Sequence, residues 1–323
     1  MDDGRDAPAR DDPLSSVALQ DLPIGVTLKP HRALTWACLA ALILIWGTTW
    51  AAIRIGLRGI PPITGVALRF VIASFVLLAL VPVFGVKLGR QPGERRLWLV
   101  NALLTFAIPY SILYWAEQWV PSGLASVIFA TFPLLTALIA HFILPEERLT
   151  IGRTLGILVG FAGIAVIFSE DFQALGGPQV AKAGAVLLLS PLSASLGGIT
   201  VKRLGKGIHP LSTAAVPMAI TALVLGPVAW LLESGRQVTF DTPSVLALLY
   251  LAIIGSALPF TVYFWLLKSQ SATSVAMINY ATPVIAVAVG TTFLDEPFTL
   301  RILAGVALVV IGVAVAVRPK RTS

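Results

Sequence analysis

Apolar residues run along this chain in long blocks, and polar residues gather in short links between them. A helix needs about 20 mostly apolar residues to cross the hydrocarbon layer of a bilayer. Ten blocks qualify: residues 34–55, 62–84, 97–119, 122–144, 151–168, 180–201, 210–232, 243–267, 272–294 and 300–317. The second opens on Pro61-Pro62, which suits a first helical turn. Thr150 and Thr299 stand where N-caps of the fifth and tenth would fall. The pattern predicts an all-α integral membrane protein of ten transmembrane helices. Short links make neighbouring helices antiparallel. Residues 1–33 hold six aspartates, several prolines and no apolar block, so they read as a disordered tail. With no basic start and no apolar core, that tail does not read as a signal peptide, and the first helix is expected to direct insertion.

The blocks repeat. With a shift of 150 residues, Pro109-Tyr110 falls on Pro259-Phe260, Tyr114-Trp115 on Phe264-Trp265, Pro133 on Pro283 and Glu146 on Glu296. One residue is then lost, and Thr150 falls on Thr299, Gly156 on Gly305 and Gly163 on Gly312. Such a period marks a structural unit written twice. The units are residues 34–169 and 180–318, with five helices each. Five is odd, so the second unit enters the membrane from the opposite side. Two inverted five-helix repeats are a common plan of secondary transporters, with substrate held near the midplane between halves.

Composition agrees. The chain is 57% hydrophobic and 12% charged, with mean hydropathy +0.88, whereas soluble domains have roughly a quarter of their residues charged. The net charge of +7 does not indicate nucleic acid, because Lys and Arg sit in the links rather than on one face. With the N-terminus inside, fifteen fall on the inner side, including Arg95, Lys202 and Lys268. Five fall outside: Arg54, Arg58, Lys182, Arg236 and Arg301. Both termini are expected in the cytoplasm. The lone Cys38 permits no internal disulfide.

Four features resemble the EamA group of ten-helix exporters within the drug/metabolite transporter superfamily. They are Trp46-Gly47-Thr48-Thr49-Trp50, Pro61-Pro62 followed by Arg69-Phe70, Gly123-Leu124-Ala125, and Glu146 to Leu149. The resemblance spans about residues 34–318 and implies a multi-pass inner-membrane carrier exporting amino acids or related small metabolites. It also implies a functional arginine in the second helix, at Arg69.

The residues point to the same place. Arg69 lies seven residues into the second helix, where a charge costs roughly 3 kcal/mol or more and usually faces a cavity or a partner. It either meets a substrate carboxylate or phosphate, pairs with carbonyls lining the pore and so gates it, or snorkels to an interface. Its counterpart is Pro217, so any site is asymmetric. Tyr110, Tyr114 and Glu117 share one helix face. Trp46, Thr49 and Trp50 form a second stripe, and with Tyr263 these supply candidate pocket walls. Trp36, Trp98, Trp119 and Trp230 suit interface anchors. Asn101 and Asn279-Tyr280 are deep polar groups that need a partner or a cavity. Pro133 and Pro283 each free a carbonyl and can kink their helices. His141 reads as packed, and Gly152, Gly156 and Gly160 as a close-approach stripe.

No carboxylate is expected deep in a helix, so no proton relay is legible. No phosphate-binding glycine loop, zinc motif or nucleophile elbow occurs, so neither cofactor, metal nor catalytic residue is expected. A carrier of small amphipathic metabolites leads. A carrier of lipid- or sugar-linked molecules, a channel and a membrane enzyme follow. The expected partners are the bilayer and a small-molecule substrate; monomer and homodimer both stay open.

Overall fold

A computed structural model describes residues 32–168, 177–276, 278–296 and 299–316. The tail expected over residues 1–33 lies, up to residue 31, outside them. The described residues are helical, with no strand. In order they form α1 (Arg32–Gly56), α2 (Pro62–Val83), α3 (Glu94–Ala116), α4 (Ser122–Ile143) and α5 (Ile151–Phe168). Then come α6 (Pro178–Leu204), α7 (Pro210–Glu233), α8 (Thr242–Ser269), α9 (Ala272–Phe293) and α10 (Leu300–Ala316). Eight of these are long and apolar enough to cross a membrane; α5 and α10 contribute shorter apolar runs, Thr154–Gly163 and Leu300–Gly312. Large apolar side chains such as Phe75, Phe142 and Leu223 point outward on the exterior, as a lipid-facing surface requires.

Helix starts follow their local chemistry. α2 and α7 open on prolines, whose missing N–H costs nothing there. Asp241 caps α8, its carboxylate accepting from the Ser244 N–H at 2.8 Å. Gly93 takes the left-handed conformation that turns the chain into α3. α3 ends at Ala116, three residues short of the expected boundary, and Glu117 is the first residue beyond the span.

α3 and α8 each contain one π-helical turn, Ala102–Ala107 and Ile253–Ala257. The turns sit at matching places in the two repeats, immediately before Pro109 and Pro259. A proline has no N–H to offer the carbonyl four residues back. The chain widens instead: the Ile108 and Leu258 N–H groups reach back five residues, to the Leu103 and Ile253 carbonyls. α2 packs on the α8 turn, and α7 on the α3 turn. The aromatic centre between them holds Phe70, Phe106, Phe260 and Phe264, all nearly inaccessible.

α5 and α10 lie side by side, away from this centre. A Cβ on Gly163 would stand 2.7 Å from the Gly305 carbonyl, and one on Gly312 would stand 2.5 Å from the Gly156 carbonyl. The glycines therefore set the helix separation.

Candidate functional site

Arg69 lies on the buried face of α2 and is 1% exposed. It does not snorkel. Its Nε donates to Ser256 Oγ at 2.7 Å, one terminal nitrogen to Tyr114 OH at 3.2 Å, and the other to the Gly255 carbonyl at 3.1 Å. The guanidinium carbon stands 4.6 Å from the centroid of the Tyr110 ring, a cation–π distance. The Gly255 carbonyl is available because Pro259, four residues on, cannot bond it. The π-turn thus manufactures the acceptor that holds Arg69. The matching turn in α3 meets hydroxyls instead: Ser193 Oγ donates to the Leu104 carbonyl at 2.9 Å and Thr221 Oγ1 to the Ala102 carbonyl at 3.1 Å.

Arg69 borders a cavity of about 70 Å³ lined by residues of both repeats, among them Trp46, Thr49, Thr105, Tyr110, Phe260, Tyr263 and Asn279. That volume admits about five waters. The walls are aromatic: Trp46 stands 5.4 Å from Phe260 and 5.6 Å from Tyr263, ring centre to ring centre. Within this wall, Trp46 Nε1 is buried without a hydrogen-bond partner. An unmet donor in an apolar cavity is costly until something accepts from it. A cationic guanidinium held only by neutral acceptors has the same appetite.

A hollow of about 1180 Å³ opens elsewhere, lined by Lys202, Arg203, Lys206, Lys268, Glu146, Glu147, Phe264 and neighbouring residues. This end is the Lys202 face. Tyr263 lines the cavity and its chain neighbour Phe264 lines the hollow, so the two spaces adjoin. The opposite end, the Arg54 face, is drawn shut. There Arg54 donates to the Glu117 backbone carbonyl, Arg236 to Gln118 Oε1 at 3.2 Å, and the Thr239 N–H to the Gly59 carbonyl at 2.8 Å.

Of the residues expected at a site, Trp46, Thr49, Arg69, Tyr110, Tyr263 and Asn279 line the cavity. Tyr114 reaches it through Arg69. Asn101 stands apart: it donates to the Thr213 carbonyl at 2.9 Å and accepts from Thr105 Oγ1 at 2.6 Å. It ties α3 to α7 and orients a threonine that does line the cavity. The Tyr280 side chain lies outside the described residues. α4 is interrupted at Ala130-Thr131, just ahead of Pro133, whereas α9 continues through Pro283. His141 accepts from the Leu149 N–H at 3.0 Å, a packing role. Trp98 is no free anchor; its indole donates to Ser212 Oγ at 3.0 Å.

Sequence reasoning missed the carboxylates that tie the halves together. Glu296, in the link after α9, accepts from the Ser122 N–H, Ser122 Oγ and Gly123 N–H at 2.8, 2.9 and 3.0 Å. Glu147, after α4, accepts from the Ala272 N–H, Thr273 N–H and Thr273 Oγ1 at 2.8, 3.1 and 2.7 Å. Each caps the first turn of the other repeat's helix, where free N–H groups and the helix dipole favour an anion. The register therefore pairs Glu147, not Glu146, with Glu296: the lost residue falls one position earlier than the sequence comparison placed it. Glu233 caps α2 in the same manner, from the Ile63 and Thr64 N–H groups. Among the described residues no cluster of His, Cys, Asp or Glu is placed to hold a metal.

Comparison with known proteins agrees with this architecture. The model of the EamA-like transporter family matches residues 31–169 and again 182–318. The chain belongs to that family, a family of multi-pass membrane transporters. It is 32% identical over 289 residues to the uncharacterized inner membrane transporter YedA of Escherichia coli (strain K12), covering 87% of this chain and 89% of that one. It is 29% identical over 273 residues to the uncharacterized transporter YvbV of Bacillus subtilis (strain 168), covering 84% and 88%. A solved crystal structure, 23% identical, superposes with a TM-score of 0.68 over 89% of this chain and 97% of that one, which shows a shared fold.

Proposed function

We propose that this protein is a secondary carrier of small amphipathic metabolites that bear a carboxylate or phosphate, amino acids and their relatives foremost. It exports them across the inner membrane by alternating access between two inverted five-helix halves. The single observation that carries the reading is Arg69: a buried cation, met only by neutral acceptors, on the wall of an aromatic cavity built from both repeats. An anionic group entering beside it would meet the remaining guanidinium N–H donors and the unpaired Trp46 indole.

The two ends support the same reading. The Lys202 face carries the excess of basic links, which makes it cytoplasmic, and it is the face with the hollow. The conformation is then open inward and shut outward. The small cavity favours compact guests over lipid- or sugar-linked ones.

Counterflow in proteoliposomes tests the proposal. Vesicles preloaded with an unlabelled amino acid mixture should accumulate labelled amino acid saturably, and Arg69→Ala should abolish this while inserting normally. Flux that never saturates would make the protein a channel, and full exchange in Arg69→Ala would remove Arg69 from the site.

A further inference from the structure

At the shut Arg54 face, Glu117 is 0% exposed. Neither of its carboxylate oxygens has a hydrogen-bond partner among the described residues. A carboxylate anion shut away from bulk solvent without a partner is among the most costly arrangements a protein can hold. The charged and titratable groups facing it come from four elements. Arg54 on α1 spends a hydrogen bond on the Glu117 backbone carbonyl rather than on its carboxylate. Arg69 on α2, Tyr114 on α3 and Glu296 in the link after α9 act on it at longer range. The two carboxylates share one neighbourhood but differ in their hydrogen-bond partners. Glu296 accepts three hydrogen bonds, two from backbone N–H groups and one from a hydroxyl. Glu117 accepts none. Burial first, and the nearby Glu296 charge second, push its carboxyl well above the usual carboxylate range.

We propose that Glu117 is a proton-binding site whose occupancy is coupled to closure of the Arg54 face. When the face is shut, the carboxyl carries its proton. When Arg54, Arg236 and the Glu296 cap let go and water enters, the O–H bond breaks, the proton passes to that water and the carboxylate remains. Closing takes one proton back.

Glu117 binds a proton more tightly when shut than when hydrated and open. The shut state is therefore fully favoured below the open-state pKa, and that preference is lost as pH rises through the shut-state pKa. Between the two values the shut-to-open ratio falls by up to about tenfold per pH unit. This inference rests on the alternating-access reading above.

The test uses the full chain, reconstituted, with spin labels on Arg58→Cys and Gly235→Cys in a Cys38→Ala background. Both sites are exposed, at the Arg54 face, and in opposite repeats; added bulk at Gly235 meets nothing within 4 Å. The wild-type background should show a short and a long distance, the long one growing as pH rises. Glu117→Gln, which mimics the protonated acid, should stay short at every pH. Two distances whose populations ignore pH, or a Glu117→Gln protein that keeps the wild-type response, would overturn the proton site and leave the carrier standing. One distance under all conditions would overturn both. Infrared spectroscopy on unlabelled protein, at a pH where exposed acids are ionised, gives a second reading. A protonated-carboxyl band that shifts in heavy water and vanishes in Glu117→Gln is expected, and its absence from the wild type overturns the site.

Discussion

Glu147 and Glu296 hold equivalent places in the two repeats and make equivalent bonds, Glu147 capping the start of α9 and Glu296 the start of α4. Each caps with three hydrogen bonds, two from backbone N–H groups and one from a hydroxyl. The pairing gives physical content to the repeat. The halves resemble each other in sequence, and they also latch each other, one carboxylate at each face.

Replacing either latch should be costly in proportion to the cap it removes. Glu147→Gln and Glu296→Gln should each lower stability by about 1–2 kcal/mol, read as a fall in midpoint by thermal denaturation in detergent. Their conformational effects should be opposite. Glu296→Gln loosens the Arg54 face and should enlarge the long-distance population of labels at Arg58 and Gly235, whereas Glu147→Gln should not.

Arg69 should tolerate no substitute. Lysine keeps the charge, but it cannot reach Ser256, Gly255 and Tyr114 at once, because it lacks the planar fork. Arg69→Lys should therefore lose exchange by on the order of 10- to 100-fold, the value of one or two charged hydrogen bonds, and Arg69→Ala should lose more. Counterflow rates normalised to reconstituted protein check the ranking.

Trp46→Phe keeps the ring that packs on Phe260 and Tyr263 but deletes the unpaired indole N–H. If that donor serves the guest, the half-saturation concentration should rise by roughly tenfold, the equivalent of about 1.4 kcal/mol, with the folded yield unchanged. Concentration series in the same assay measure it.

Gly312→Ala separates scaffold from site. The new methyl would meet the Gly156 carbonyl at 2.5 Å, and overpacking of this kind costs about 1–3 kcal/mol. The melting midpoint should fall while exchange per folded molecule is kept, because α5 and α10 lie away from the cavity. Gly197→Ala should damage both, since its methyl would press into Thr105 and the α3 backbone behind it.

Much of this was legible in the residues, and the parts that were not have a common cause. Long apolar blocks and a 150-residue period disclose helices and repeats, because lipid forces both into composition. Arg69 stands out because a charge within an apolar block is rare. The π-turns do not stand out: the sequence marks Pro109 and Pro259, but which carbonyl the widened turn presents depends on what packs against it. Glu117 looks like an ordinary acid at a helix end. Its neighbours include Arg54, 63 positions away, and the Glu296 link. The caps on Ser122 and Thr64 likewise join residues 174 and 169 positions apart. Pairings of that reach leave no local pattern.

The most direct test of a cavity clasped between inverted halves is sidedness. Ala194 lines the cavity, so Ala194→Cys on the Cys38→Ala background should react with an impermeant thiol reagent applied to the cytoplasmic side. Reaction from the opposite side should appear only when that face opens, and bound substrate should slow both. Simultaneous, substrate-insensitive reaction from the two sides, or none from either, would contradict the account.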